Sequence, residues 1–378
     1  MPSSSCARIG RRNNCSDVVP LKPNLLNCTY PELERFCSDL GEAPFRARQL
    51  WQWLWQKRER DFGRMTNISR ELRGRLAGMA TVLWPEVHQV QASRDGTTKF
   101  LLTLEDGQRI ESVLIPEKDH FTVCLSTQVG CALGCTFCAT GQMGLVRNLS
   151  MAEILGQILV AQEHVNGLAM GVALRNLVFM GMGEPLLNWE NLQRALGALH
   201  DPLGLDFSKR RITVSTVGVP GMLAELGAAG QASLAVSLHA PTQELRARIM
   251  PRAARFPLDD LIADLAAYPL QPRQKVTIEY VLLGGVNDGL GHARELVRVL
   301  NKVKAKVNLI PFHPSPDLPY AAPDMDKVLA FESLLKSKGL PATLRKSKGQ
   351  DISAACGQLR AEVAVKETTT AGSRSPTT

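Results

Sequence analysis

Three cysteines stand at C-x3-C-x2-C spacing in the run Val129-Gly130-Cys131-Ala132-Leu133-Gly134-Cys135-Thr136-Phe137-Cys138. Three thiolates this close in sequence can wrap one compact metal centre. Two chemistries fit. A structural zinc site takes four closed ligands, so these cysteines would be a half-site completed by a remote His or Cys. A cubane iron–sulfur cluster normally takes four cysteines, one per iron, so three leave one iron without a protein ligand. That open iron can hold a small molecule through an amino group and a carboxylate, and S-adenosylmethionine offers such a pair. Reduction of its sulfonium would give a carbon radical, chemistry that proteins delegate to cofactors. Spacing alone leaves zinc and iron–sulfur both open.

Other residues bear on the choice. Gly183-Glu184-Pro185 offers close backbone approach and a carboxylate able to accept hydrogen bonds from an ammonium. Ser215 and Ser237 fall at the ends of candidate strands, where they either bond a ribose or carboxylate or serve as turn residues. His239 and His313 read as pocket residues rather than metal ligands. Cys124 precedes the three-cysteine run by seven residues, and Cys356 lies in a Gly-containing loop near the C-terminus. A buried free cysteine commonly acts as a small hydrophobe; beside a sulfonium, a thiolate is a nucleophile. Glu111, if brought to the same mouth, is a general-base candidate. Sequence alone does not bring Glu111, Cys124 and Cys356 together.

The elements that must position these groups follow from pattern. The chain has 378 residues, 44% hydrophobic and 21% charged, enough for one large globular domain and a smaller one. No apolar run reaches the length of a membrane span, and Met1 to Pro20 has no apolar h-region of a secretory signal. Nine cysteines without a disulfide-like distribution point to a reducing cytosol. The net charge of +8 leans towards a polyanionic partner. Lys209-Arg210-Arg211, the group Arg246, Arg248, Arg252 and Arg255, and Arg345-Lys346-Ser347-Lys348 each read singly as a solvated face. Together they suit phosphate contacts.

Residues 1–22 read as a disordered leader holding Cys6 and Cys15. Residues 23–85 read as a helical accessory domain, with helices over Tyr30–Leu40, Ala43–Arg58 and Ser69–Ala77. Trp51, Leu54 and Trp55 share a face and make a small core, while Arg46, Arg48, Lys57, Arg58 and Arg60 offer a basic surface for RNA. Residues 86–120 read as a β-hairpin linker turning at Glu105-Asp106-Gly107. Over 121–348, strands at Phe121–Ser126, Leu174–Met180, Arg211–Ser215, Ser233–Leu238, Lys275–Leu282 and Val307–Ile310 alternate with helices, and a last strand falls at Ala342–Arg345. One intervening helix opens with Ser150 and Glu153 as a capping box. Such repetition predicts a parallel sheet, as a partial barrel or a doubly wound sheet. Either one puts ligands at the carboxyl ends of its strands, where the motifs above all fall. Residues 349–365 carry Cys356, and 366–378 read as a disordered Thr/Ser-rich tail.

Several of these runs together resemble one known family. Gln128 to Gln142, Met180-Gly181-Met182-Gly183-Glu184-Pro185-Leu186-Leu187-Asn188, Ser208-Lys209-Arg210-Arg211, Ser237-Leu238-His239-Ala240-Pro241 and Ala354-Ala355-Cys356-Gly357-Gln358-Leu359 are similar to motifs of the radical S-adenosylmethionine RNA adenine-C2 methyltransferases. Phe45-Arg46-Ala47-Arg48-Gln49-Leu50-Trp51 resembles their accessory helices. The resemblance implies an α/β fold: a partial (β/α)6 barrel with an N-terminal helical accessory domain and a β-hairpin extension. It implies a [4Fe–4S] cluster on Cys131, Cys135 and Cys138, and two S-adenosylmethionine molecules per turnover. Gly183, Glu184, Ser215, Ser237, Leu238 and His239 would contact that cofactor. His313 stands where the family usually has Asn, and is retained as a cofactor contact because both side chains hydrogen-bond.

The same resemblance makes Cys356 the methyl carrier, Cys124 the residue that releases product through a disulfide with Cys356, and Glu111 the proton acceptor. Its substrates would be C2 of an adenosine in 23S rRNA, free or in the assembling large subunit, and the adenosine 3′ of a tRNA anticodon. An electron donor such as flavodoxin, no membrane partner, a monomeric state and a cytoplasmic location complete the expectation. Two alternatives stand: a sister group that methylates C8 and confers antibiotic resistance, and a non-catalytic, zinc-stabilised RNA-binding protein.

Overall fold

The computed structural model describes residues 22–168, 171–315 and 318–361. The expected leader, with Cys6 and Cys15, and the expected tail lie outside the described residues, apart from Lys22 at the leader's end. Three helices come first: α1 (Tyr30–Asp39), α2 (Phe45–Trp55) and α3 (Arg70–Met79). Thr29 and Glu32 close a capping box on α1, and the Ser69 hydroxyl accepts from Leu72 N to start α3. These side chains satisfy N–H groups that have no partner inside the helix. Trp51 and Trp55 are fully buried and meet edge to face at 5.7 Å, with Tyr30 edge-on to Trp51. This aromatic face is core, and the basic groups lie outside it.

Strands β1 (Glu86–Ala92), β2 (Thr98–Thr103) and β3 (Arg109–Pro116) form an antiparallel meander. β3 pairs antiparallel with β4 (Phe121–Cys124), so the segment expected to be a hairpin linker is three-stranded and continuous with the main sheet. β1 escaped the sequence reading because its face is mostly exposed, as Glu86-Val87-His88-Gln89 carries no alternation. Only pairing with β2 makes it a strand. A short ribbon follows, β5 (Gln128–Gly130) with β6 (Leu145–Asn148), and α4 (Ala139–Gln142) sits between them.

The repeating units then run α5 (Met151–Gly167), β7 (Leu174–Phe179), α6 (Trp189–His200), β8 (Ile212–Thr216), α7 (Met222–Ala229), β9 (Ser233–Ser237), α8 (Gln243–Ile249), α9 (Leu258–Ala267), β10 (Val276–Leu282), α10 (Leu290–Val299), β11 (Ala305–Pro311), α11 (Met325–Ser337) and β12 (Ala342–Leu344). α5 carries the expected capping box of Ser150 and Glu153. Strands β4, β7, β8, β9, β10, β11 and β12 are neighbours in that order and all parallel. The order is sequential and the sheet curves, because Cys124 on its first parallel strand and Arg345 just past its last wall one cavity. That geometry is the partial barrel rather than the doubly wound sheet.

Apolar residues on both faces of the strands build a core that runs without a break from Leu33, Trp51 and Leu72 into Leu177 and Val214. The helical module is also pinned by polar contacts. Arg194 of α6 meets Glu32 at 2.7 Å, and Asn27 accepts from Ala152 N at 2.8 Å. Parallel register sets polar side chains into the barrel interior, where Asn308 donates to Glu279 at 3.0 Å.

Candidate active site

The three-cysteine loop is shaped by backbone before any side chain is considered. β5 and β6 pinch its ends, and Cys131 N donates to Gly144 O at 2.8 Å. Gly130 has φ +75°, and a Cβ there would lie 1.9 Å from Gly144 O. Only glycine fits. Further along, Thr136 N donates to Ile249 O at 2.9 Å, so the end of α8 braces the loop. Leu133 and Phe137 pack with Leu245, Ile249 and Phe312 in a separate apolar cluster around the cysteines. Burial pushes the Cys131 thiol up to about 12 and raises Cys135 and Cys138 as well. Such thiols become ligands only when a cation supplies the compensating charge.

Cys131, Cys135 and Cys138 all line one cavity. A cubane takes one cysteine per iron, so three thiols fit such a cluster with one iron left open.

The second motif stands opposite. Gly183 has φ +99°, and a Cβ would meet the Gln128 side chain and backbone at 2.5–2.9 Å. Gln128 Oε1 accepts from Glu184 N at 2.8 Å, tying the motif to β5. The buried Glu184 carboxylate accepts from Leu186 N at 3.1 Å and Val217 N at 3.0 Å. Desolvation raises its carboxyl to about 7, and bonds from Thr216, Val217 and Leu186 offset part of that rise. None of these donors is charged, so the carboxylate is suited to an ammonium brought by a ligand.

At the ends of β8 and β9, the Ser215 and Ser237 hydroxyls stand 3.4 Å apart. His239 has φ +56° and Nδ1 accepts from Val281 N at 3.0 Å, which places its proton on Nε2. Desolvation, with the Arg246 charge adding to it, lowers His239 to about 3. It is a neutral donor, packed edge-on to Phe137 at 5.0 Å.

Cys124, Cys131, Cys135, Cys138, Gly183, Glu184, Ser215, Ser237, His239 and Cys356 line one cavity, which holds about 1240 Å³ free of protein atoms and partly open to solvent. Burial raises the Cys124 thiol to about 12, and the nearby Arg345 charge opposes that shift. The segment carrying Cys356 lies across the loop: Ala139 N donates to Gly357 O and Thr140 Oγ1 to Leu359 O, both at 2.7 Å.

Three expected residues are placed elsewhere. Leu238 is buried, with its N–H on Glu279 O, and is not a cavity wall. His313 is exposed and lines a neighbouring opening instead. Glu111 is buried on β3, paired with Lys99 at 2.9 Å and accepting from Arg360 N at 2.8 Å. Among the basic groups, Arg246 is a correction. It is fully buried and donates to Val217 O, Ala253 O and Phe256 O, so it offers nothing to a phosphate. Lys209 to Arg211 precede β8, at the end of the barrel opposite the cysteine loop. Gln128, Thr216 and Lys99 were missed, because polar residues inside strands and turns carry no signal until their partners are known.

Residues 23–82 match the ribosomal RNA large subunit methyltransferase N-terminal domain, and 125–297 match the radical SAM superfamily. A dual-specificity RNA methyltransferase RlmN of Solidesulfovibrio magneticus is 62% identical over 90% of this chain and 97% of its own length. The chain belongs to the RlmN family. An RlmN of Nitratidesulfovibrio vulgaris strain Miyazaki F is 59% identical over 89% of the chain and 94% of its own length. In structure, a radical SAM methyltransferase from Sphaerobacter thermophilus matches with a TM-score of 0.85 and 43% identity, covering 90% of this chain and all of that one.

Membership of the RlmN family makes the chain an S-adenosylmethionine-dependent radical methyltransferase, with a [4Fe–4S] cluster and S-adenosylmethionine as cofactors. The residues fit both. Cys131 and Cys135, both buried, and Cys138, half-buried, would hold the cluster, and Glu184, a carboxylate lacking a charged partner, would take the amino group.

Proposed function

We propose that this chain methylates C2 of an adenosine in the peptidyl-transferase region of 23S rRNA, and the adenosine 3′ of the anticodon in some tRNAs. The observation that carries the reading is the meeting of Cys124 and Cys356 with the three-cysteine loop in one cavity. When bound, the cluster supplies the electron that splits S-adenosylmethionine to a carbon radical.

The chain's own groups do the rest. Glu184 takes the amino group of the cofactor, and Ser215 and Ser237 bond its polar atoms. His239 donates from Nε2. Cys356 carries the methyl group as a thioether, which suits C2 because that carbon is electrophilic and resists polar methyl transfer. Glu111, outside the cavity lining but held against the Cys356 segment through Arg360 N, would accept the proton released as the product forms. The Cys124 thiolate then attacks the Cys356 sulfur: the disulfide forms as the S–C bond to the RNA breaks, and the carbon takes that electron pair and a proton, which frees the methylated RNA. A flavodoxin-type donor, a monomer and a cytoplasmic setting complete the reading. Among the described residues no helix is long and apolar enough to cross a membrane.

The test is mass spectrometry of rRNA and tRNA from a strain lacking this activity, complemented with the chain. The expected product is 2-methyladenosine in both RNAs. Appearance of 8-methyladenosine instead assigns the chain to the sister chemistry, and no methylation refutes the reading. Cys124→Ala is expected to retain RNA covalently bound; a variant purified free of RNA removes the release role from Cys124.

A further inference from the structure

Cys356 stands between two openings. One is the cavity already described. The other shares most of its walls with it, Phe312, Arg345, Ala354, Ala355 and Cys356 among them, but none of the cluster cysteines and not Glu184. Its remaining walls include His313, Lys346, Ser347 and Lys348, with Glu117 as its acidic member. Three permanent cations thus face one carboxylate. Lys346 is exposed and Lys348 half-buried, and no ion pair among the described residues uses either.

We infer that this second opening receives the target nucleotide of the RNA, with Lys346 and Lys348 on the phosphates that flank it. The inference rests on the proposed RNA methylation. Geometry supplies the reason. A base that reacts with a carbon on the Cys356 sulfur must touch that sulfur while the cofactor fills the first cavity, so it comes from the other side. An enzyme that works on a base takes it out of its stack into a pocket. Phe312, edge-on to Tyr320 at 6.1 Å, gives this wall an apolar ring. Lysines at the rim would hold the backbone while leaving base identity to the pocket. Arg210 and Arg211, which precede β8, wall a different opening that shares only Glu117 and Arg345 with this one, and they take no part.

The experiment measures binding of the holoenzyme to a 23S rRNA fragment containing the target adenosine across a salt series. The doubly substituted Lys346→Gln/Lys348→Gln chain is compared with wild type and with Lys209→Gln/Arg210→Gln. Each lost phosphate contact lowers the slope of log K against log salt by about 0.7–0.9. The Lys346/Lys348 variant is expected to lose about 1.4–1.8 of slope and to bind more weakly at low salt, with an unchanged thermal midpoint. The Lys209/Arg210 variant is expected to keep the wild-type slope. Equal slopes and affinities for wild type and the Lys346/Lys348 variant overturn the site, as does a loss confined to the Lys209/Arg210 variant. Wild type that fails to bind the fragment over unrelated RNA overturns the site together with the proposed substrate.

Discussion

Replacing Lys99 with Met tests how the Cys356 segment is held. Lys99 Nζ lies 2.9 Å from Glu111, and the two side chains are 8% and 2% exposed. Lys99 also donates to Ser353 O at 3.4 Å, while Glu111 accepts from Arg360 N at 2.8 Å. The pair thus grips both flanks of Cys356. Asp95 on Gly349 N at 3.0 Å and Asp351 on Arg94 N at 3.1 Å extend the grip to the β1–β2 turn. Removing one partner of a buried ion pair costs about 3–5 kcal/mol, because the survivor remains buried and uncompensated. The bond to Ser353 contributes about 1 kcal/mol of the same loss.

Lys99→Met keeps the apolar stem, so charge is the main thing removed. Hydrogen–deuterium exchange of the holoenzyme reads the result: amides over 349–360 are expected to exchange faster in the variant, with β8 and β9 unaffected. Urea unfolding of Lys99→Met, Glu111→Leu and the double variant gives the coupling. The double variant is expected to recover about 2–3 kcal/mol relative to the sum of the singles, since neither charge is left alone. Strict additivity, or unchanged exchange over 349–360, refutes the argument that this pair holds the segment.

Two further outcomes follow from the opposite wall. Gly183→Ala puts a methyl 2.5–2.9 Å from Gln128 at φ +99°. It is expected to cost about 1–3 kcal/mol and to weaken S-adenosylmethionine retention in equilibrium dialysis; wild-type values for both would show that the motif tolerates a side chain. Glu184 gives a pH signature. Its carboxyl is raised to about 7 in the folded chain, chiefly by desolvation, from an ordinary 4.5. The native state therefore holds the proton more tightly than the unfolded one. Stability is fully present below about 4.5 and falls as pH rises towards 7, by on the order of 3 kcal/mol. Without ligand, the urea midpoint of wild type relative to Glu184→Gln is expected to drop between pH 5 and pH 8; parallel profiles would show that Glu184 titrates normally.

The residue types and spacings determined much of this protein. C-x3-C-x2-C, Gly183-Glu184-Pro185 and the strand-end serines each fall at the carboxyl end of a predicted strand, and parallel β/α order forces such ends to one side of the sheet. The helix start at Ser150, with Glu153 three residues on, was equally legible, because capping is local chemistry. The aromatic face of α2 was legible from its 3.6-residue period.

Tertiary structure decided what no local pattern can state. Nothing in the sequence around Glu111 announces Lys99 as its partner or the Cys356 segment as what they grip. Arg246 looked like surface charge, and only the folding of Val217, Ala253 and Phe256 carbonyls around it made burial tolerable. His313 sits one residue after Phe312, yet the turn after β11 puts it in the second opening. Cys124 and Cys356 are far apart in the chain. They meet because the sheet curves until its first and last parallel strands share a cavity, and curvature is a property of the whole ladder rather than of any strand in it.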